Sequence, residues 1–513
     1  MNLSSEDLQS KLKRHSRLGH VKRDKAFLRQ VTLACSCPGL TLAAARERMS
    51  NSSMAGLASF YRFEHSEVEV SQIRSIRDAV VAESIPLGSE VLIVHDVTLL
   101  DYSRHRSKSD RRAIGNHVGM GYEYVACLAV ESGTGQMLGL VHETVVSERG
   151  PDDADVMDYN YEELFSDFSE HEKQKMKSNH RHQMAVHING LAKKLPGRRI
   201  IHVGDREFDD LFIIGRCQQT GSEFVIRTNA DRNVQVPQYP WIPKQAFRKK
   251  EKGHAIEPDW VCVELRDLIQ AVPVRTYKTV PVDSTNRVTD SGSAARLAEL
   301  GIGVCKVRLY RDAKRNNRYF RTSQTLCVNM IVVRETNPGQ TRTPLCWILF
   351  TSLPVDSEAQ QNHVVRCYEL RWKVETYFRL LKSGYQIESY RLDNADKIAK
   401  LLVVLSLAAM VVTNLKSSLG LPAQGKLNDQ QYRMIKGAIT QINNPELSLE
   451  LRLLALIVKF GGWLGRRNDP IGASKLMRGV LFLLASLDAW QDHAPLMQEA
   501  AQNRNLIRKL LGI

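Results

Sequence analysis

The chain has 513 residues, with 71 Lys and Arg against 56 Asp and Glu for a formal charge of +15. That length exceeds one ordinary core and points to two to four domains or one domain with large insertions, while the basic excess favours a polyanionic partner whose phosphates release counterions on contact. Its nine Cys include no C-x-x-C pair, and the start MNLSSEDLQSKLKRHSRLGH is polar and charged. These features argue against a disulfide-framed secreted scaffold and a zinc ribbon, and are expected of reduced, mostly buried thiols in a soluble intracellular protein.

Residues 1–88 read as helical, with Lys11, Lys13, Arg14, Arg17, Lys22, Arg23, Lys25 and Arg29 among them. A basic helical module suits DNA, although a solvated face explains such charges equally well. From residue 89, EVLIVHDVT, YEYVACLAV and QMLGLVHETVV read as strands. A charged stretch at 150–182 reads as a loop, then QMAVHINGLAKKL as helix, RRIIHVGD as strand, DDLFIIGRCQQTG as helix and EFVIRT as strand. Three strands followed by helix, strand, helix, strand is the element order of a ribonuclease H-like α/β core, an order other mixed sheets share, placed here at 89–230 and resumed at 346–420. The text between, 231–345, is β-rich (DWVCVELRDL, IGVCKVRLYRD, LCVNMIVVRE) and reads as an inserted β-domain. CWILFTSLPV is the returning strand, and a long helix begins near residue 357. The run LLVVLSLAAMVV at 401–412 is too short to span a bilayer and reads as a buried helix. Residues 421–513 read as a helical C-terminal region.

The segment CYELRWKVETYFRLLKSG is the most informative. On a continuous helix at ~100° per residue, Tyr368, Arg371, Arg379 and Lys382 fall within ~40° of Glu375. Leu370, Val374, Phe378 and Leu381 make a separate apolar face able to dock on a sheet. A Glu with Arg four residues on is commonly a surface ion pair worth roughly a few tenths of a kcal/mol; five aligned functional groups weaken that explanation. Asp96 follows the apolar LIVH, and Asp205 follows IIHVG. Carboxylates ending apolar strands are costly to bury unless paired or bound to a cation, and a cluster of three favours hard divalent ions such as Mg2+. Taken alone, Asp96 reads equally as a turn or cap residue. In GDREFDD, Asp209 is expected to cap the following helix and Glu207 to pair with a basic group. The basic groups Arg248, Lys249, Lys250 and Lys252, and Arg311, Lys314, Arg315, Arg318 and Arg321, suit a DNA backbone or a solvated face.

The spacing Tyr-x-x-Arg-x-x-x-Glu-x-x-x-x-x-x-Lys, here Tyr368, Arg371, Glu375 and Lys382, resembles the bacterial DDE transposases of the insertion-sequence-4 group. GDREFDD resembles the family's Asp-Arg-Glu box and HDVTLLDYS its first-Asp segment. A β-rich insertion before the Glu is likewise a family trait. The resemblance runs from about residue 10 to about 400. It implies Asp96, Asp205 and Glu375 as a triad binding two Mg2+ ions (Mn2+ substituting), with Tyr368, Arg371 and Lys382 on phosphates; Arg379, on the same helical face, is a further DNA-binding candidate. It implies Trp347 stacking on a flipped base and Arg227 contacting DNA; the plain alternatives are core packing for Trp347 and a surface cation for Arg227. The Asp96–Asp205 and Asp205–Glu375 intervals, 109 and 170 residues, are longer than expected for the transposon-five relatives. The implied activity is cut-and-paste transposition: cleavage at terminal inverted repeats of double-stranded DNA, a hairpin intermediate, and joining of the 3′-end to target DNA. A homodimer in a synaptic complex, nucleoid-associated in a bacterial cytoplasm with no membrane partner, follows by the same analogy. Two other readings stand beside it: a transposase-derived DNA-binding regulator without catalysis, and a ribonuclease H-fold nuclease that cuts but does not join.

Overall fold

The computed structural model describes residues 5–36, 67–115, 118–151, 180–248, 259–282, 296–310, 325–337, 344–418, 427, 429–466, 471–472 and 475–480. The expected helices in TLAAARERMS and MAGLASFYRFEH, Cys37, the greater part of the 150–182 loop, Lys249, Lys250, Lys252 and the basic group at 311–321 lie outside these residues. So does the chain beyond residue 480. Two units are formed, one from Val81–Val374 with Asn394–Asp396, the other from Met1–Val80, Glu375–Asp393 and Lys397–Ile513.

The first unit is mixed α/β and is built on one large sheet. The three expected strands form as β1 (Glu90–Asp101), β3 (Gly119–Glu131) and β4 (Met137–Ser147), with short β2 (Arg112–Ile114) and β5 (Gly150–Pro151) at their ends. Every residue of β4 is buried although only two-residue β5 pairs with its outer side, so both of its faces are covered. Helix α4 (His180–Lys194) leads to β6 (Arg199–Gly204), and α5 (Leu211–Gln219) leads to β7 (Glu223–Arg227). The strands order β5-β4-β3-β1-β6-β7, with β3 antiparallel to β1 and β4 antiparallel to β3. β6 runs parallel to β1, and β7 parallel to β6, as crossovers through helices allow.

The β-rich stretch adds its strands to this same sheet. β8 (Asn233–Pro237), β9 (Trp260–Glu264), β10 (Arg275–Val282), β11 (Arg296–Leu309) and β12 (Leu326–Glu335) continue past β13 (Cys346–Thr351), which pairs with both β7 and β12. One apolar cluster joins the two parts: Phe224 and Ile226 of β7 share it with Val307, Val332 and Phe350. The segment DWVCVELRDL is only half strand. β9 ends at Glu264, and Leu265–Ala271 turns into helix α6, whose Leu265, Leu268 and Ile269 meet the core at helical spacing.

Helix α7 (Glu358–Glu369) lies on β6 and β7. A capping box starts it: Gln360 N–H donates to Ser357 Oγ at 3.3 Å, and Ser357 N–H to Gln360 Oε1 at 3.0 Å. The long helix expected from 357 is interrupted. Leu370 and Arg371 form a turn, α8 covers Trp372–Arg379, and Leu380–Gly384 is a π-helical turn closed by Tyr385 N–H to Leu380 O at 2.8 Å. Gln386 then takes a left-handed conformation and ends the helical run.

The second unit is helical. It holds α1 (Ser5–His15), α2 (Val21–Ser36), α10 (Asp429–Thr440) and α11 (Leu449–Phe460), with most of α3 (Val70–Ser84) and α9 (Ala395–Ser418). All of 401–410 is buried in α9, as the apolar run suggested. Among the described residues no helix is long and apolar enough to cross a membrane. Of the basic positions in α1 and α2, Lys13, Arg14, Lys22, Lys25 and Arg29 are exposed, whereas Lys11 is buried beside Asp7 at 3.6 Å.

Candidate active site

The parallel register between β1 and β6 runs from Glu90↔Arg199 to Val94↔Val203, a constant offset of 109 residues. Carried two residues further, it brings Asp96 level with Asp205 on neighbouring strands, and adjacent strands lie about 4.8 Å apart. The interval that looked long in the sequence is therefore the sheet register itself. Asp96 is not at a strand end: β1 continues to Asp101, and Asp96 pairs with Ala126 of β3. Its partner β6 ends instead, so Asp96 stands where the parallel neighbour has stopped.

Asp96 is held from two sides. Its Oδ1 accepts from Val97 N–H at 2.9 Å, and its Oδ2 accepts from Arg371 Nη1 at 2.9 Å. Arg371 comes from the turn between α7 and α8, and its guanidinium also lies 5.4 Å from the Trp372 ring. Asp205 follows β6 and caps the 3-10 turn Arg206–Phe208, where its Oδ1 accepts from Glu207 N–H at 2.9 Å. Glu207 itself is exposed.

The expected cap is one residue off. Asp210 is the residue whose side chain accepts from Phe212 N–H at 2.8 Å and caps α5. Asp209 turns inward, accepting from Thr228 Oγ1 at 2.5 Å and pairing with Arg232 at 3.0 Å. The sequence places both acids before the apolar run, and only the turn at 206–208 decides which one reaches the helix end.

Trp347 on β13 is half-buried and meets the Tyr368 ring edge-on, centroids 5.6 Å apart. Arg227 ends β7 opposite Leu349 of β13. Burial pushes the Cys346 thiol upward, against the opposing pull of Arg334, Arg227 and Arg206. Three guanidiniums are thus near enough to act on Cys346 at the start of β13, Arg334 of them donating to the Gln270 and Val272 carbonyls at 3.4 and 3.2 Å; the sequence singles out only Arg227, because Arg206 and Arg334 lie far apart in the chain. Arg248 is engaged otherwise, on Glu264 at 3.1 Å and Asp267 at 2.6 Å.

A fourth carboxylate went unnoticed in the sequence. Ala126 pairs with Glu143 of β4, so Asp96, Ala126 and Glu143 form one cross-strand row. Glu143 is fully buried and accepts from Tyr124 Oη at 2.5 Å. Its strand text, LVHETVV, looked like an ordinary buried strand.

Glu375 is half-buried on α8 and is the first residue of the second unit, as Arg371 is among the last of the first. Leu370, Val374, Phe378 and Leu381 are all buried, as the apolar face required. The single straight stripe does not survive. The turn at 370–371 and the π-helical turn each change the angle per residue, so one continuous wheel at ~100° per residue does not describe 368–382. Lys382 instead pairs with Glu388 at 3.3 Å, Tyr368 is buried, and Arg379 is exposed.

Residues 173–411 match the family model described as transposase DDE domain. That match supports a DDE transposase. It contains Asp205 and Glu375, with Asp96 upstream. A solved structure, that of a piggyBac transposase synaptic complex with hairpin DNA, aligns over 88% of this chain and 81% of its own at 12% identity and a TM-score of 0.33, a likeness too low to carry an argument.

Proposed function

We propose that the protein is a cut-and-paste DNA transposase of the DDE type, with Asp96, Asp205 and Glu375 as its metal-binding carboxylates. The observation that carries the reading is the parallel β1–β6 register, which, carried two residues past its last pair, sets Asp96 of β1 beside Asp205 just after β6, within a chain whose residues 173–411 match a transposase DDE domain. The order β4-β3-β1-β6-β7, three antiparallel strands followed by two parallel ones reached through helices, supports a ribonuclease H-like core. The finer resemblance to the insertion-sequence-4 group rests on Tyr368, Arg371, Glu375 and Lys382.

The donor set fits a hard divalent ion. Asp96 already holds one cation, the Arg371 guanidinium, and all three proposed ligands are carboxylates. When bound, a pair of Mg2+ ions would activate water or a 3′-hydroxyl and stabilise the leaving oxygen of a phosphodiester. The chain's own groups do the rest. Arg371, released from Asp96, presents a planar fork that suits a phosphate in two-point contact. Arg206, Arg227 and Arg334 supply positive charge along the backbone. Trp347, with its ring placed by Tyr368, offers an aromatic face to an extruded base.

The activity so assembled is hydrolysis at a transposon end, attack of the freed 3′-hydroxyl on the opposite strand to give a hairpin, opening of that hairpin, and joining to target DNA. We assign DNA-end binding to the N-terminal helices and homodimer contacts in a synaptic complex to the C-terminal helices. The test is cleavage of labelled DNA carrying the element's own ends, with Mg2+ or EDTA, in wild type and Glu375→Ala. Mg2+-dependent nicking and a hairpin product, lost in the variant while binding persists, is the expected result. Cleavage that survives in Glu375→Ala removes the triad assignment, and binding without cleavage in either protein favours a regulatory descendant.

A further inference from the structure

Behind the Asp96 row, the opposite face of the same strands carries an unusual core. Successive strand residues alternate faces, so His95 points away from Asp96. There it joins His142, His187 and His202, four imidazoles at 0–1% exposure. Cys127 of β3 lies between two of them: its Sγ is 3.2 Å from His95 Nδ1 and 2.9 Å from His187 Nδ1. The far nitrogens are engaged as well. His95 Nε2 is 2.9 Å from His202 Nδ1, and His187 Nε2 is 2.7 Å from Thr144 Oγ1. His142 stacks on His187 with centroids 4.0 Å apart.

We propose that His95, Cys127 and His187 form a buried zinc site, distinct from the carboxylate site. The three donor atoms lie within 4.8 Å of one another. Zinc distances of about 2.3 Å to sulfur and about 2.0 Å to nitrogen put sulfur and nitrogen ligands roughly 3.5 Å apart in a tetrahedron. The two sulfur–nitrogen separations, 3.2 and 2.9 Å, need a relaxation of only about half an ångström to reach that. One thiolate and two imidazoles are the donors a borderline-soft ion selects and Mg2+ does not. They fill three of zinc's four positions.

The surroundings match such a site. A metal-bound imidazole characteristically donates its other N–H to a fixed acceptor, which sets its tautomer and orientation. His95 has that acceptor in His202 Nδ1, and His187 has it in Thr144 Oγ1. The ligands come from β1, β3 and α4, so an ion would tie the strand bearing Asp96 to the helix covering its back. Glu90, His363 and Cys367 also lie within ligand distance, but Glu90 is already bound at 2.8 Å by Arg199.

Because the site is closed, loading accompanies folding. The full chain is produced in medium supplemented with zinc or with cobalt, then purified in excess Mg2+. The expected result is about one equivalent of zinc per chain, and in the cobalt protein a thiolate-to-metal charge-transfer absorption. That absorption needs sulfur, so metal at the carboxylates cannot mimic it. Cys127→Ala abolishes it, and Cys217→Ala, a buried thiol outside the cluster, retains it. A wild-type protein with no stoichiometric zinc and no charge-transfer band, or equal zinc in Cys127→Ala and wild type, overturns the proposal and leaves a hydrogen-bonded core network. The wild-type spectrum decides even where Cys127→Ala fails to fold.

Discussion

Arg371 donates from Nη1 to Oδ2 of Asp96 at 2.9 Å, with the two side chains 9% and 15% exposed. Guanidinium here occupies the place beside the carboxylate that a divalent ion would share. Arg371→Ala leaves Asp96 largely buried without that charge, at an expected cost of about 1–3 kcal/mol, between the surface and fully buried cases. Millimolar Mg2+ should raise the melting temperature of Arg371→Ala more than that of wild type. Thermal unfolding with Mg2+ or EDTA checks this, and equal shifts in both proteins would mean that Asp96 does not take the ion.

Asp209 and Asp210 are adjacent acids with opposite duties. Asp210→Ala removes a helix cap and should cost about 1 kcal/mol. Asp209→Ala removes the carboxylate 3.0 Å from the buried Arg232 guanidinium and should cost more, about 3 kcal/mol. Chemical denaturation of the two variants ranks them. The reverse order would restore Asp209 as the cap.

Tyr368 packs its ring against Trp347. Tyr368→Phe keeps that contact and removes only the hydroxyl. Its melting temperature should stay close to wild type while cleavage of DNA ends falls by about tenfold, the equivalent of one hydrogen bond near 1.4 kcal/mol. Full activity in Tyr368→Phe would leave the residue a packing role alone.

Burial pushes the Cys305 thiol up to about 12. An unfolded thiol ionises near pH 8.5. The folded value is raised, so this contribution to stability is complete below about pH 8.5 and is lost as pH rises toward about 12. Across that window the unfolded state releases its proton first, at about 1.4 kcal/mol per pH unit for each such thiol. Urea denaturation under reducing conditions should show a shallower alkaline decline in Cys305→Ala by one proton's share. An unchanged slope would place the Cys305 thiol in a wetter setting.

The elements of the first unit were legible because their apolar text is long and periodic. β1, β3, β4, β6 and β7, with α4 and α5, fall where EVLIVHDVT, YEYVACLAV, QMLGLVHETVV and their successors place them. The helix after residue 357 was misread as continuous because periodicity in Leu370, Val374, Phe378 and Leu381 persists through a break. A turn at 370–371 and a π-helical turn change the angle of the polar groups while the apolar side stays buried.

By itself the sequence determined the basic charge, the strands, the buried apolar helix at 401–412, and the candidate residues Asp96, Asp205 and Glu375. Each of these depends on local composition or on spacing along one element. Only the tertiary structure decided the parallel β1–β6 register, on which the placing of Asp96 beside Asp205 depends, since register is set by pairing between strands 109 residues apart. It likewise decided that Arg371 rests on Asp96, that Arg206 and Arg334 join Arg227, and that His95, Cys127 and His187 converge. Those ligands sit on three elements, so no short motif announces them. Their meeting follows from strand pairing and helix packing, contacts of long sequence separation that one-dimensional spacing does not encode.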